Sequence, residues 1–135
     1  EAKLVSLENL EVSTRNPAIK SLEEEILVPT QKFIFISPEY NGSIPGVLKS
    51  LFDSSDIQRA WWGKKALLTG VSTGRAGNLR GMEHLTGILN YMKMVVHPNK
   101  LPISVVNTLL NFDGTIKDET TLKVIDQQLN EFIAF

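Results

Sequence analysis

No cysteine occurs anywhere in the 135 residues. That removes disulfides and thiolate-held metals from consideration. Histidine is nearly absent too: His84 and His97 are the only two, and no carboxylate pattern faces either. Two isolated imidazoles do not assemble a metal site, so no metal is expected. Neither sign of charge prevails, since 14 basic against 15 acidic residues leave a net charge of −1. A nucleic-acid partner calls for a basic excess, so none is expected. No apolar run approaches the roughly 20 residues that cross a bilayer, and no membrane partner is expected. Low-complexity segments and repeats of solenoid period are missing as well. What is present is 42% hydrophobic residues, in a length suited to one domain with a real core. A single domain over residues 1–135 is expected.

The chain is organised around residues 37–53. Before them, Lys32-Phe33-Ile34-Phe35-Ile36 is a short run of β-branched and aromatic residues. Such a run suits a strand covered on both faces, as in a parallel sheet. After them, Val47, Leu48, Leu51 and Phe52 fall on one stripe of a helix. Ser43 is a candidate cap for that helix, and Pro45 fits its first turn. The polar stretch Pro38, Glu39, Tyr40, Asn41, Gly42, Ser43 is then the loop at the carboxyl end of a buried strand. In doubly wound α/β folds ligands bind there. Asn41-Gly42 is a turn pair able to take positive φ, and Tyr40 offers a flat amphipathic ring. The loop carries no phosphate signature and no histidine, so a flat, partly polar ring system suits it better than a phosphate or a metal. A plain βα turn with no ligand is equally compatible with its composition.

A second unit of the same kind follows. Lys65 to Val71 reads as an apolar strand. Ser72-Thr73-Gly74-Arg75-Ala76-Gly77-Asn78 is a glycine-rich loop, and Met82, Leu85, Leu89 and Met92 mark the next helix. The loop should stand beside the first one, in the same row of strand ends. Elsewhere, Lys3 to Leu7 reads as a strand. Asn16 caps a helix with Ile19, Leu22, Ile26 and Leu27 inward and Glu23, Glu24 and Glu25 mostly outward. Trp61-Trp62 packs beneath a strand start, Lys49 is an exposed helix lysine, and His84 is a surface or interface histidine rather than a base. Met94 to Val96 is a further strand, and Leu101 to Val106 is extended. Asp113-Gly114 is a turn, and Asp118 caps a last helix with Leu122, Ile125, Leu129, Phe132 and Ile133 inward.

The residues Pro38-Glu39-Tyr40-Asn41-Gly42-Ser43-Ile44-Pro45-Gly46-Val47-Leu48-Lys49 closely resemble the PEYNxSxPGxLK motif of the NADPH-dependent FMN reductase family. Ser72 to Gly77 is similar to the family's Ser-x-Gly-x-x-Gly loop, and residues 111–118 to its FDxDGxLxD segment. The resemblance runs from about Lys32 to the C-terminus. It implies a flavodoxin-like, three-layer α/β/α fold with a parallel sheet in the order 2-1-3-4-5. It implies FMN as cofactor, with NADPH or NADH as reductant. Pro38, Glu39, Tyr40, Asn41, Gly42 and Ser43 would run along the flavin ring. Ser72, Thr73, Gly74, Arg75 and Gly77 would close around its pyrimidine end, where negative charge develops on reduction. Arg75 is a candidate for stabilising that charge or for binding the nicotinamide-dinucleotide phosphate; a solvated loop arginine is the plain alternative.

The front of the sequence departs from the family. Relatives begin with a strand and a Gly-Ser-x-Arg-x-x-Ser-x-Asn loop that cradles the FMN phosphate, and nothing here matches it. The expectation is that the first strand and phosphate loop, some 25 to 40 residues by the usual lengths of strand, loop and helix, are not in the sequence. The function expected is passage of hydride from NAD(P)H through bound flavin to a small acceptor: a flavin, quinone, azo compound or metal ion. The flavin carries the chemistry, and no catalytic side chain is expected. A homodimer or homotetramer in the cytoplasm is expected from the family. The alternatives are a flavodoxin-like electron carrier, against which the near-neutral charge argues, and a flavin-binding protein with no enzyme activity.

Overall fold

Both apolar runs become strands, β1 (Lys32–Pro38) and β2 (Lys65–Val71), in a computed structural model that describes residues 2–135. They pair in parallel over their whole length, from Lys32 opposite Lys65 to Pro38 opposite Val71. The far edge of β2 carries two short parallel strands in succession. β3 (Val95–Val96) pairs with Lys65 and Ala66, and β4 (Leu101–Ile103) pairs with Thr69 to Val71. Between them the chain detours, and Gln128 from the last helix fills the break. Its Nε2 donates to Leu68 O and Asn99 O, and its Oε1 accepts from the Thr69 hydroxyl, all at 2.8–2.9 Å. The described residues thus form three adjacent parallel columns of the expected sheet, short of the full 2-1-3-4-5 order.

Helices cover one face of the sheet well. They are α1 (Pro17–Leu22), α2 (Gly46–Ser54), the single turn α3 (Ile57–Ala60) and α4 (Leu79–Tyr91). Their core joins Ile19, Leu48, Leu51, Phe52, Trp61, Met82, Leu85 and Leu89 to Ala66 and Leu68 of β2. Trp61, 1% exposed, stands at its centre, against Phe33, Phe35 and Phe52 at centroid distances of 5.1–6.3 Å. Among the described residues the opposite face is covered by α5 (Glu119–Ala134) alone, capped by Asp118 as expected. Lysines at the starting ends of the strands close helix C-termini, where carbonyls lack intrahelical donors. Lys32 Nζ donates to Phe132 O and Ile133 O of α5. The buried Lys64 donates to Leu27 O and Val28 O at the end of the first helical segment.

Several expectations are corrected. Residues 3–7 form no strand; they run irregularly along a cleft of about 1120 Å³ whose other wall is β1. With no backbone partner beside them, they have nothing to pair with. Nor is β1 covered on both faces: Ile34 and Ile36 are 44% and 65% exposed. The first helix does not keep its α register, because Glu23–Leu27 winds as a π-helical turn. Glu23, four residues after the buried Ile19, points inward, where its carboxylate accepts a bifurcated bond from Arg15 Nε, one from Arg15 Nη2 and one from the Asp56 N–H. Ser43 does not cap α2, whose cap position is Pro45. On α5, Leu122 and Ile133 are exposed, at 45% and 73%, and the residues buried are Gln128 and Phe132. Trp61 packs as expected, whereas Trp62 is 38% exposed and lies under the Lys93 ammonium, 3.6 Å from its ring centre.

Candidate flavin site

The two loops singled out from the sequence leave the sheet side by side. β1 and β2 end level, and the Glu39 N–H still donates to Val71 O across the gap at 2.9 Å. The first loop is a tight reversal. Tyr40 and Ser43 exchange backbone bonds at 2.9 and 3.0 Å, and between them Asn41 and Gly42 take φ of 50° and 78°. Two successive residues at positive φ make a type I′ turn, the geometry that Asn-Gly favours. The turn lifts Tyr40 into solvent, where its ring is 60% exposed.

The second loop is held from the far side by the segment after β4. The Ser72 N–H donates to Ile103 O, the Val105 N–H to Gly74 O and the Val106 N–H to Ser72 O, at 2.9–3.1 Å. The Ser72 hydroxyl also donates to Gly74 O at 3.0 Å. Gly77, at φ 56°, passes so close to β4 that a Cβ there would lie 2.7 Å from the Pro102 Cβ. The carbonyls of Ser72 and Gly74 are therefore occupied. The N–H groups of Thr73, Gly74 and Arg75, like those of Asn41 and Gly42, meet no acceptor among the described residues. Thr73, Gly74 and Arg75 are exposed.

Four further residues shape the site, though the sequence marked none of them as part of it. Asn78, fully buried at φ 64°, donates from Nδ2 to Ser37 O at 2.9 Å and so ties the start of α4 to the end of β1. Its Oδ1 has no partner among the described residues. Arg80, on the first turn of α4, lies over the Asn-Gly turn, its Cδ and Nη1 both 4.0 Å from where a Gly42 Cβ would be. One helical turn on, His84 Nδ1 is 2.9 Å from the Ser43 hydroxyl. Val105 holds its bond to Gly74 at φ 45°, a strained value for a β-branched residue. An Asn at the head of a helix gave a weak signal for Asn78; a valine gives none for left-handed backbone.

This arrangement suits a planar ring rich in hydrogen-bond acceptors. Two rows of unpaired N–H groups stand at adjacent strand ends, and Arg75 and Arg80 are ion-paired with no carboxylate among the described residues. The other two arginines, by contrast, are engaged: Arg15 with Glu23 and Arg59 with Glu24. The isoalloxazine ring of FMN, with carbonyls and an electron-rich pyrimidine edge, fits such a donor set. Among the described residues no three His, Asp or Glu side chains come together as metal ligands.

A family model described as NADPH-dependent FMN reductase matches residues 6–108. The chain belongs to the NADPH-dependent FMN reductase family. Among the reductases it resembles, it is 35% identical over 118 residues to an NAD(P)H-dependent FMN reductase of Pseudomonas aeruginosa, covering 84% of this chain and 62% of that one. It is 26% identical to a 2-hydroxy-1,4-benzoquinone reductase of a Burkholderia species, covering 88% and 67%, and 30% identical to a quinone reductase of Escherichia coli K12, covering 87% and 64%. The chain thus spans about two thirds of the length of these relatives. The flavoenzyme FerB, an NAD(P)H:acceptor oxidoreductase of Paracoccus denitrificans, superposes with a TM-score of 0.83 at 24% identity, over 99% of this chain and 79% of that one. That likeness establishes the FMN reductase family's fold here. No helix among the described residues is long and apolar enough to cross a membrane.

Proposed function

We propose that this chain is a flavin-binding domain that uses FMN to pass reducing equivalents from NADPH or NADH to a small acceptor. A quinone or a free flavin is favoured, with azo compounds and metal ions as further candidates. The observation that carries the reading is the pairing, at level strand ends, of an Asn-Gly type I′ turn and a glycine-rich loop whose N–H groups are free. When bound, FMN accepts a hydride from the nicotinamide and delivers the electrons onward. The protein's part is to hold and orient. Pro38, Glu39, Tyr40, Asn41, Gly42 and Ser43 border the ring. The N–H groups of Thr73, Gly74 and Arg75, with Ser72 and Gly77 fixing the loop, face its pyrimidine edge. Arg75 and Arg80 are free to meet negative charge on the ring or on the dinucleotide phosphates. The exposed Tyr40 leaves one side open for reductant and acceptor to use in turn. Homodimers or homotetramers in the cytoplasm, where reduced nicotinamide is available, complete the reading.

The test is to incubate the purified chain with FMN, remove free flavin and add NADPH anaerobically. A yellow protein that bleaches rapidly, and recolours with benzoquinone, is the expected result. Colour that bleaches only with dithionite would make the chain a carrier, and no retained colour would remove flavin from its function.

A further inference from the structure

Ser43 closes the Asn-Gly turn, and its hydroxyl lies 2.9 Å from His84 Nδ1 on α4. This contact links a loop assigned above to the flavin ring with an imidazole, a group whose ring nitrogens change role when it gains a proton. The inference therefore rests on that assignment. A neutral imidazole has one nitrogen that carries hydrogen and one that accepts. With Nδ1 accepting, the Ser43 proton is spent on His84 and the oxygen's lone pairs remain for other donors. Imidazolium carries hydrogen on both nitrogens, so Nδ1 must donate and the serine proton must turn elsewhere.

The surroundings do not offset that change. His84 is exposed in a groove between α2 and α4 that also holds Lys49, Asp53, Glu83 and Tyr91. Lys49 is matched by Asp53 at 2.7 Å, and Glu83 by Lys100 at 2.7 Å. Arg80, one helical turn back, adds only positive charge. Among the described residues His84 forms no ion pair with a carboxylate, and a charge gained there sits one hydrogen bond from the turn.

We propose that His84 is a positioning residue that sets which way the Ser43 hydroxyl points. Gain of its proton reverses that direction, so that the turn offers the bound ring a lone pair at high pH and a donor at low pH. A flavin edge rich in acceptors is then held more tightly on the acid side.

Riboflavin is the probe, because it carries the same ring with no titrating phosphate. Its dissociation constant is measured by fluorescence quenching at about pH 5.5 and about pH 8, on either side of the histidine range. The wild-type chain is expected to bind roughly threefold to tenfold more tightly at the lower pH, the worth of one redirected hydrogen bond. His84→Gln, which hydrogen-bonds without titrating, should bind with no such pH dependence, and so should His84→Phe, which leaves the Ser43 hydroxyl free at either pH. A pH dependence that persists in His84→Gln or in His84→Phe overturns the inference. In the flavin-free chain, the Nδ1 resonance of His84 should shift in Ser43→Ala; an unmoved resonance also overturns it. If the wild-type chain takes up neither FMN nor riboflavin, the assignment of the loop fails instead, and the imidazole resonance still decides the hydrogen bond.

Discussion

At the scale of single residues, backbone conformation and buried charge carry the sharpest consequences. Gly42 sits at φ 78° beneath Arg80. Gly42→Val forces a branched side chain into left-handed backbone, at a cost of about 1–2 kcal/mol. Urea melts should show that loss, and flavin titration a weaker complex, because the turn that carries Tyr40 must open. Glu23 looked like one of three solvated carboxylates, yet it holds Arg15 and the Asp56 N–H from a fully buried position. Glu23→Ala strands a backbone donor and half-frees a guanidinium, and should destabilise by about 2 kcal/mol in the same melts. Charge, not periodicity, put Glu23 outside: it lies four residues after the buried Ile19, on the same helical face, but in a run of three glutamates that reads as solvated.

Among the elements, α5 shows how a cap makes stability depend on pH. Asp118 accepts from the N–H and hydroxyl of Thr121 at 2.7 Å, and these bonds hold its carboxyl below the ordinary aspartate range. A carboxylate whose folded value is depressed adds stability above its unfolded value, about 3.9, and that contribution vanishes as pH falls through the folded value. Thermal melts of Asp118→Ala should therefore lie below wild type at pH 7 and converge with it as the pH drops below about 4. Both this cap and Asn16 were legible, since Asx residues before a helical stripe act locally. Ser43 was misread as a cap for an equally local reason: the type I′ turn ends on it, and its hydroxyl faces α4 instead of the α2 backbone.

Across the whole molecule, the sheet is unequal on its two faces. Trp61 lies buried among Phe33, Phe35 and Phe52, whereas Ile36 on the opposite face of β1 is 65% exposed. Trp61→Ala should cost about 3–5 kcal/mol, and Ile36→Ser within about 0.5 kcal/mol of nothing. Chemical denaturation of the two variants checks the asymmetry. What the amino-acid order settled unaided was the two strand–loop–helix units, the Asn-Gly turn, the caps and the glycine-rich loop, because each depends on neighbours a few positions away. Assembly in space settled the rest. It brought the two loops level through the Pro38–Val71 register, tied them with Asn78, turned Arg80 and His84 of α4 onto the first loop, and left Ile34 and Ile36 bare. Those are contacts between residues tens of positions apart, and periodicity along a chain carries no record of which distant segment will lie alongside it.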